Sequence, residues 1–310
     1  MKIIDWLLEG DPSIAKMVKE DLFLEDTPYQ NKKYIEDYLA HFDSKTRFFG
    51  GGLYSPKWIS TFYTTLELAN LRIDPNNEIY LASCQHLYQN IWKNNTLFKE
   101  QTKRDVCIIG MLLKMLAYQG TKESDLKEII DFLIDSQMHD GGWNCRYNKY
   151  PKPHTSSLHT TISVLEGIEI YLRNGYQYKG NQLKEIREKS HEFMLLKQLF
   201  RSRRTKKIIH KEMVKFHYPN RWKYDCFRAL DYFQRISYPY DARMEEALIN
   251  VRKQIQKGYI HRGKQYNGKT FFHLEKGQRG RFTTLQALKI LQCYDPIFYQ
   301  FITTKDFSYA

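Results

Sequence analysis

Carboxylates, thiols and an imidazole stand where helical segments of this chain begin, a place where they can be put to chemical use. Asp105-Val-Cys107 opens one such segment, Leu158-His159-Thr-Thr161 another and Asp225-Cys226 a third. A helix N-terminus offers unpaired N–H groups and the positive end of the helix dipole, which hold negative charge and favour thiolate over thiol. Asp225 and Cys226 are therefore candidate catalytic acid/base groups or reserve metal ligands. Cys145 and His154 lie in the stretch that feeds His159 and can reach the same end of the helices. Each type also has a structural use: Cys as a small core residue, Asp in a first turn, His as a local hydrogen-bonding group.

Basic and aromatic residues precede several of the same segments. Lys57 and Trp58 precede one, Arg221-Trp-Lys223 another and Arg279-Gly-Arg281 a third. Arg and Lys converging beside helix N-termini make an anion site suited to diphosphate or carboxylate. Lys57, Trp58, Arg221, Arg279 and Arg281 are thus candidate substrate-binding residues. Aromatic residues make up 15% of the chain, enough to line a cavity that would suit an isoprenoid and stabilise positive charge by cation–π contact. A formal charge of +13 also favours an anionic partner, although solvated loops account for Arg and Lys equally well. The dense run Arg201-Ser-Arg-Arg-Thr-Lys-Lys207 comes with no helix-turn-helix, zinc-finger or RNP pattern, so no specific nucleic-acid partner is expected.

The elements that must position these groups are helices. Apolar residues recur at three- and four-residue steps, as in 126–133 and 162–172, and no series of alternating strands appears. The chain also repeats itself. Thr64-Thr-Leu-Glu-Leu-Ala-Asn-Leu71, Thr160-Thr-Ile-Ser-Val-Leu-Glu-Gly167, Asp225-Cys-Phe-Arg-Ala-Leu-Asp-Tyr232 and Thr283-Thr-Leu-Gln-Ala-Leu-Lys-Ile290 align without gaps. Val106-Cys-Ile-Ile-Gly-Met-Leu-Leu113 fits the same frame less closely, placing Cys107 opposite Thr161 and Asp105 opposite His159. The spacing, about 40 to 65 residues, is what one helical hairpin with its connections needs. These segments are poor in charge, as helices packed on all sides are. The stretches 78–92, 123–137, 184–199 and 243–255 are amphipathic and suit an outer layer. The expected fold is all-α, alternating outer helix, turn and inner helix. Two further helices near 13–24 and 32–42 form an N-terminal segment, 1–52, joined through a flexible Gly50-Gly-Gly52 to a repeat domain over 53–310.

The bulk properties fit that reading. Hydrophobic residues at 42% and charged residues at 27% are a globular composition, and no apolar stretch is long enough to span a bilayer. The start, MKIIDWLLEGDPS, carries acids within its apolar stretch, so no signal peptide is expected. Five scattered cysteines, Cys84, Cys107, Cys145, Cys226 and Cys293, argue against a disulfide scaffold and for a reducing compartment, the cytoplasm.

One turn motif carries a family resemblance. Gln137-Met-His-Asp-Gly141-Gly142-Trp143 matches QxxxGxW, and Gln254-Ile-Gln-Lys-Gly258-Tyr259 is a degenerate copy, both between an outer and an inner segment. Gln at the end of an outer helix can bond freed backbone groups, the Gly pair permits a left-handed turn, and Trp packs one helix on the next. The motif resembles the repeat signature of squalene and hopene cyclases. GMLLKML, QMHDGGWNC, SSLHTTISVLEGI and RWKYDCFRALDYF look like uncharacterised bacterial squalene cyclase-like or prenyltransferase-like proteins. The resemblance, spanning about 56–295, implies an α/α toroid of roughly five to six helical hairpins with inner and outer layers. Neither the DxDD motif of the cyclases nor the DDxxD motif of ionising terpene synthases occurs, so squalene-type cyclisation is not implied.

The chain also resembles the β subunits of protein prenyltransferases, which hold zinc with Asp-x-Cys at one inner-helix start and His at the next. That likeness implies zinc on Asp105, Cys107 and His159, leaving a fourth position for water or substrate. The family binds isoprenoid diphosphate with basic residues ahead of its Asp-x-Cys, a stretch where Lys99, Lys103 and Arg104 stand here, at shifted offsets. Lanthionine cyclases build a similar toroid, but their Cys-His-Gly ligand motif is missing. The expected function is a terpenoid cyclase/prenyltransferase-like enzyme acting on an anionic, partly apolar, isoprenoid diphosphate-like substrate in a central cavity. The alternative is a noncatalytic toroid that binds a lipid or a protein partner.

Overall fold

A computed structural model describes residues 1–29, 33–98, 104–263, 266–275 and 277–309. Among them thirteen α-helices carry the architecture: α1 Ile3–Leu8, α2 Pro12–Phe23, α3 Tyr34–Leu39, α4 Thr61–Asn70, α5 Glu78–Leu87, α6 Val106–Gln119, α7 Glu123–Asp135, α8 Leu158–Arg173, α9 Gly180–Leu195, α10 Cys226–Arg235, α11 Glu245–Gln254, α12 Arg281–Tyr294 and α13 Pro296–Thr304. Two short antiparallel pairs accompany them, β1 Phe42–Asp43 with β2 Phe48–Phe49 and β3 Ile260–His261 with β4 Arg279–Gly280. The protein is all-α. No helix of the described residues is long and apolar enough to cross a membrane.

The chain divides into two compact units. A central unit comprises Tyr38–Leu195 with Arg221–Lys223, and a terminal unit comprises Met1–Asp37, Leu196–Asn220 and Tyr224–Ala310. Within the terminal unit, the Lys289 ammonium on α12 lies 3.1 Å from Asp21 on α2 and 2.9 Å from Asp231 on α10. The Gln292 amide on α12 donates to the Leu22 carbonyl at 3.0 Å. These contacts fasten the N-terminal helices to those near the other end of the chain.

In the central unit the charge-poor segments are the buried ones. Eleven of fourteen residues of α6 and thirteen of sixteen of α8 are buried, against four of thirteen in α7. In α7 those four, Leu126, Ile129, Ile130 and Leu133, recur at three- and four-residue steps, which leaves the acids outside. Helices α6 and α8 meet at two glycines: a Cβ on Gly167 would stand 2.4 Å from the Gly110 carbonyl oxygen, and one on Gly110 would stand 2.7 Å from Val164 Cα. The charge buried in this packing is paired, with Lys114 donating to Glu166 at 3.1 Å and to Asn70 at 2.9 Å. Gly50-Gly-Gly52 is a packed turn rather than a loose joint, since the Gly52 carbonyl accepts both the Thr61 N–H and its hydroxyl, at 2.9 and 3.0 Å.

The turn from α7 to α8 works differently from its sequence reading. The freed Leu133 carbonyl at the end of α7 is taken by the indole N–H of fully buried Trp143, at 2.7 Å. Gln137 instead spans the turn, donating to the carbonyls of Gly141 and of Ile186 on α9, each at 2.8 Å. The Trp143 N–H then donates to the Thr161 hydroxyl at 3.0 Å. In the terminal unit Ile260 stands at the Trp position of the second copy, and its N–H donates to the Thr284 hydroxyl at 2.8 Å. Thr161 and Thr284 occupy the same place in the repeat frame.

Replacing Gly167 by Ala should destabilise the protein by about 1–3 kcal/mol, because the methyl group has only backbone to displace. Gly180→Ala is the control, since its Cβ meets nothing nearer than a Leu172 methyl group at 4.0 Å. Urea denaturation of both variants checks this, and equal losses would mean that the glycine contact contributes nothing of its own.

Candidate functional site

The starts of α6 and α8 carry the densest chemistry in the central unit. Asp105 is the N-cap residue of α6, yet its side chain does not cap the helix. Its Oδ1 pairs with the Lys149 ammonium at 2.7 Å. The Cys107 N–H donates to Cys145 Sγ at 3.3 Å, and the Thr160 hydroxyl on α8 lies 3.4 Å from the same sulfur. The neighbouring Cys145 side chain and burial push the Cys107 thiol well above its usual range. The Cys107 side chain draws Cys145 down, helped by Thr160 and the Cys107 N–H against the opposing effect of burial.

The approach of Cys145 to α6 results from how its loop is held. Trp143 anchors one end through the Leu133 carbonyl, and the Asp140 carboxylate holds the other by accepting from the Ser156 N–H at 2.8 Å and the Thr155 hydroxyl at 2.9 Å. The Asn144 amide donates across to the Thr155 carbonyl at 3.0 Å. Cys145 comes two residues after the tryptophan and inherits its position.

An aromatic and cationic cluster adjoins the thiols. The Tyr63 hydroxyl donates to that of Tyr54 at 2.7 Å. Burial raises the Tyr54 phenol, and the sulfurs of Cys107 and Cys145 and the Asp105 carboxylate push in the same direction, which sets this ring beside them. The Lys57 ammonium lies 5.6 Å from the Tyr54 ring, 5.7 Å from Trp58 and 5.7 Å from Trp222. Arg221 stacks over Trp58 at 4.5 Å and Lys223 over Trp222 at 4.1 Å. The His159 ring meets Trp222 edge-on at 5.6 Å. Burial lowers both cations: the charge of Glu67 opposes this at Arg221, whereas the Lys57 charge lowers Lys223 further.

Lys57, Trp58, Arg221, His159, Asp105 and Cys107 therefore all belong to one neighbourhood, along with Tyr54, Cys145, Trp222 and Lys223. His159 and Cys107 are each the second residue of their helix. Among the described residues no group of three His, Cys, Asp or Glu is arranged to hold a metal ion. Asp105 is engaged by Lys149 and Cys107 by Cys145. Asp105, Cys107 and His159 accordingly form no such group. His154 is exposed.

The remaining candidates serve other surroundings. Lys99 and Lys103 lie outside the described residues. Arg104 donates to the Trp92 carbonyl at 2.8 Å and to Asn95 at 3.1 Å while stacking 3.9 Å over Trp92. Arg279 and Arg281 are in the terminal unit, where with Trp6, Tyr259 and Tyr309 they line a cleft of about 630 Å³. Arg281 stacks on Trp6 at 4.5 Å and donates to its carbonyl, and Arg279 donates to the Tyr309 carbonyl.

Asp225 and Cys226 also belong to the terminal unit. Cys226 is fully buried, and burial drives its thiol well up, the environment of a core residue. Asp225 caps α10 by accepting the Arg228 N–H at 2.8 Å, and it accepts from the Asn220 amide at 2.6 Å. Buried His217, which no motif marked, lies with Nδ1 3.2 Å from Asp225 and Nε2 3.3 Å from Glu212, under the stacked ring of Tyr266. Burial alone would lower this imidazole, but the two carboxylates outweigh it and raise it above 6.5.

A raised histidine stabilises the fold while protonated. The unfolding free energy of the wild type minus that of His217→Gln should be greatest below pH 6.5 and should shrink as the pH rises through the folded-state value. Urea denaturation at a series of pH values measures this difference, and growth with pH would contradict the sign.

No family model, curated protein or solved structure matches the chain.

Proposed function

We propose that the chain binds an anionic, partly apolar small molecule of the isoprenoid diphosphate type in the central unit and acts on it as a prenyltransferase-like or terpenoid cyclase-like enzyme. The observation that carries this reading is the placing of two ammonium groups, those of Lys57 and Lys223, over the Trp222 ring at 5.7 and 4.1 Å. Burial and the like charge of Lys57 both make Lys223 easier to deprotonate, and the two cations repel. An oxyanion bridging the two would relieve that repulsion with charge-assisted hydrogen bonds. Trp222, Trp58 and Tyr54 would offer the apolar part of the ligand ring surface beside the anion. Arg221 is matched to the buried Glu67 carboxylate and would serve chiefly to hold Trp58 in place.

Isothermal titration calorimetry with farnesyl diphosphate, inorganic pyrophosphate and farnesol tests the proposal. The diphosphate ester should bind more tightly than either part alone. Its affinity should fall about tenfold or more, roughly 1.4 kcal/mol, in Lys57→Ala/Lys223→Ala, with the melting temperature little changed. Equal affinity in wild type and double variant would overturn the site. Binding without consumption of the diphosphate would favour the noncatalytic alternative.

A further inference from the structure

We propose that Cys145 and Cys107 form a thiol–disulfide exchange centre, in which Cys145 attacks a low-molecular-mass disulfide and Cys107 resolves the product. This inference is independent of what the lysine cluster binds. Its basis is the way donors gather on one sulfur. Cys145 Sγ receives the Cys107 N–H at 3.3 Å, and the Thr160 hydroxyl lies 3.4 Å from the same atom. Such a cradle suits a thiolate, the form that reacts. The acid nearest the pair, Asp105, is itself paired with Lys149 at 2.7 Å, which mutes its repulsion of a thiolate.

The other cysteines lack these features. Cys84 is 1% exposed and donates to the Met115 carbonyl at 3.9 Å, and Cys226 is wholly buried. Cys293 is exposed. Only Cys107 and Cys145 combine partial exposure with a direct contact to another cysteine, among the described residues. Both also stand on fixed supports, Cys107 in the first turn of α6 and Cys145 in the loop pinned by Trp143 and Asp140.

The chemistry closes without another reagent. The Cys145 thiolate attacks one sulfur of R–S–S–R, so that a Cys145–S–S–R bond forms while the original bond breaks and RS⁻ leaves. The Cys107 thiol, passing its proton to the departing thiolate, then attacks the Cys145 sulfur. A Cys107–Cys145 disulfide forms and the second RS⁻ leaves, to be protonated by solvent. Two protein thiols are oxidised as one external disulfide is reduced to two thiols.

Oxidised glutathione added to the reduced full-length chain is the probe. Wild type should release two glutathione thiols per chain and give a single bridged peptide joining Cys107 to Cys145. Cys107→Ser should release one and keep glutathione on Cys145. Thr160→Val should slow the first step about threefold or more, since it removes one donor from the attacking sulfur. Should Cys107→Ser fail to fold by circular dichroism, the wild-type stoichiometry and the bridged peptide decide alone. Glutathione retained by wild type without an internal bridge, or modification of Cys293 with Cys145 untouched, would overturn the proposal.

Discussion

The site in the central unit depends on α6 and α8 touching backbone to backbone. With no side chain at Gly110 or Gly167, each helix seats against the peptide groups of the other. A larger residue at either place would hold the helices apart, and the contacts at their N-terminal ends are far less tolerant of separation than an apolar core. The 3.3 Å bond from the Cys107 N–H and the 3.4 Å approach of Thr160 reach one sulfur from two helices. Separating the helices would lengthen and weaken both contacts. The closest packing and the most chemically loaded contacts thus belong to the same pair of helices.

Each unit joins three helices through one ammonium group. In the central unit Lys114 is satisfied by Glu166 and Asn70, and in the terminal unit Lys289 meets Asp21 and Asp231. The terminal unit also sets buried carboxylates at helix N-termini. Asp225 caps α10 while facing His217. Glu275 accepts from the backbone N–H groups of Arg281, Phe282 and Thr283 at the start of α12, at 2.8, 2.9 and 3.2 Å. Burial raises its carboxyl to about 7 although all three N–H groups favour the charged form, so the cost of desolvation is only partly offset. Asp225 is accordingly a helix cap with an imidazole partner, and the acid/base role expected of it has to be weighed against that structural task.

Much of the helical architecture was legible because burial imprints a period on sequence. The charge-poor frame found α4, α6, α8, α10 and α12, and the amphipathic stretches fell on α5, α7, α9 and α11 within a few residues. The exact start of α6 was not legible, since Asp105 sits at the cap position without capping and the Thr-Thr pairs that set the alignment have no counterpart there. The partnership of Cys107 with Cys145 was hidden by a separation of 38 residues through a loop without periodicity. Its one trace was the place of Cys145 just after the QxxxGxW turn. Arg281 looked like a site residue because it precedes an inner helix, yet its guanidinium is held by Trp6, 275 residues away. A local pattern can show that a cation stands at a helix entrance, but not which distant ring it will cover.

The two copies of the turn separate scaffold from chemistry. In both, a threonine in the first turn of an inner helix accepts the N–H of the residue that ends the turn, Trp143 in one unit and Ile260 in the other. The shared bond tolerates the exchange of an indole for a branched aliphatic side chain because it uses only backbone and hydroxyl. The residues beyond this anchor are free to differ. After Trp143 the chain enters a loop that delivers Cys145 to α6, whereas Ile260 starts strand β3, which pairs with β4 at the mouth of α12. A repeated turn that fixes geometry through the backbone leaves the next few residues open to specialise. In this chain that freedom places Cys145 against α6 in one unit and a short β-pair in the other.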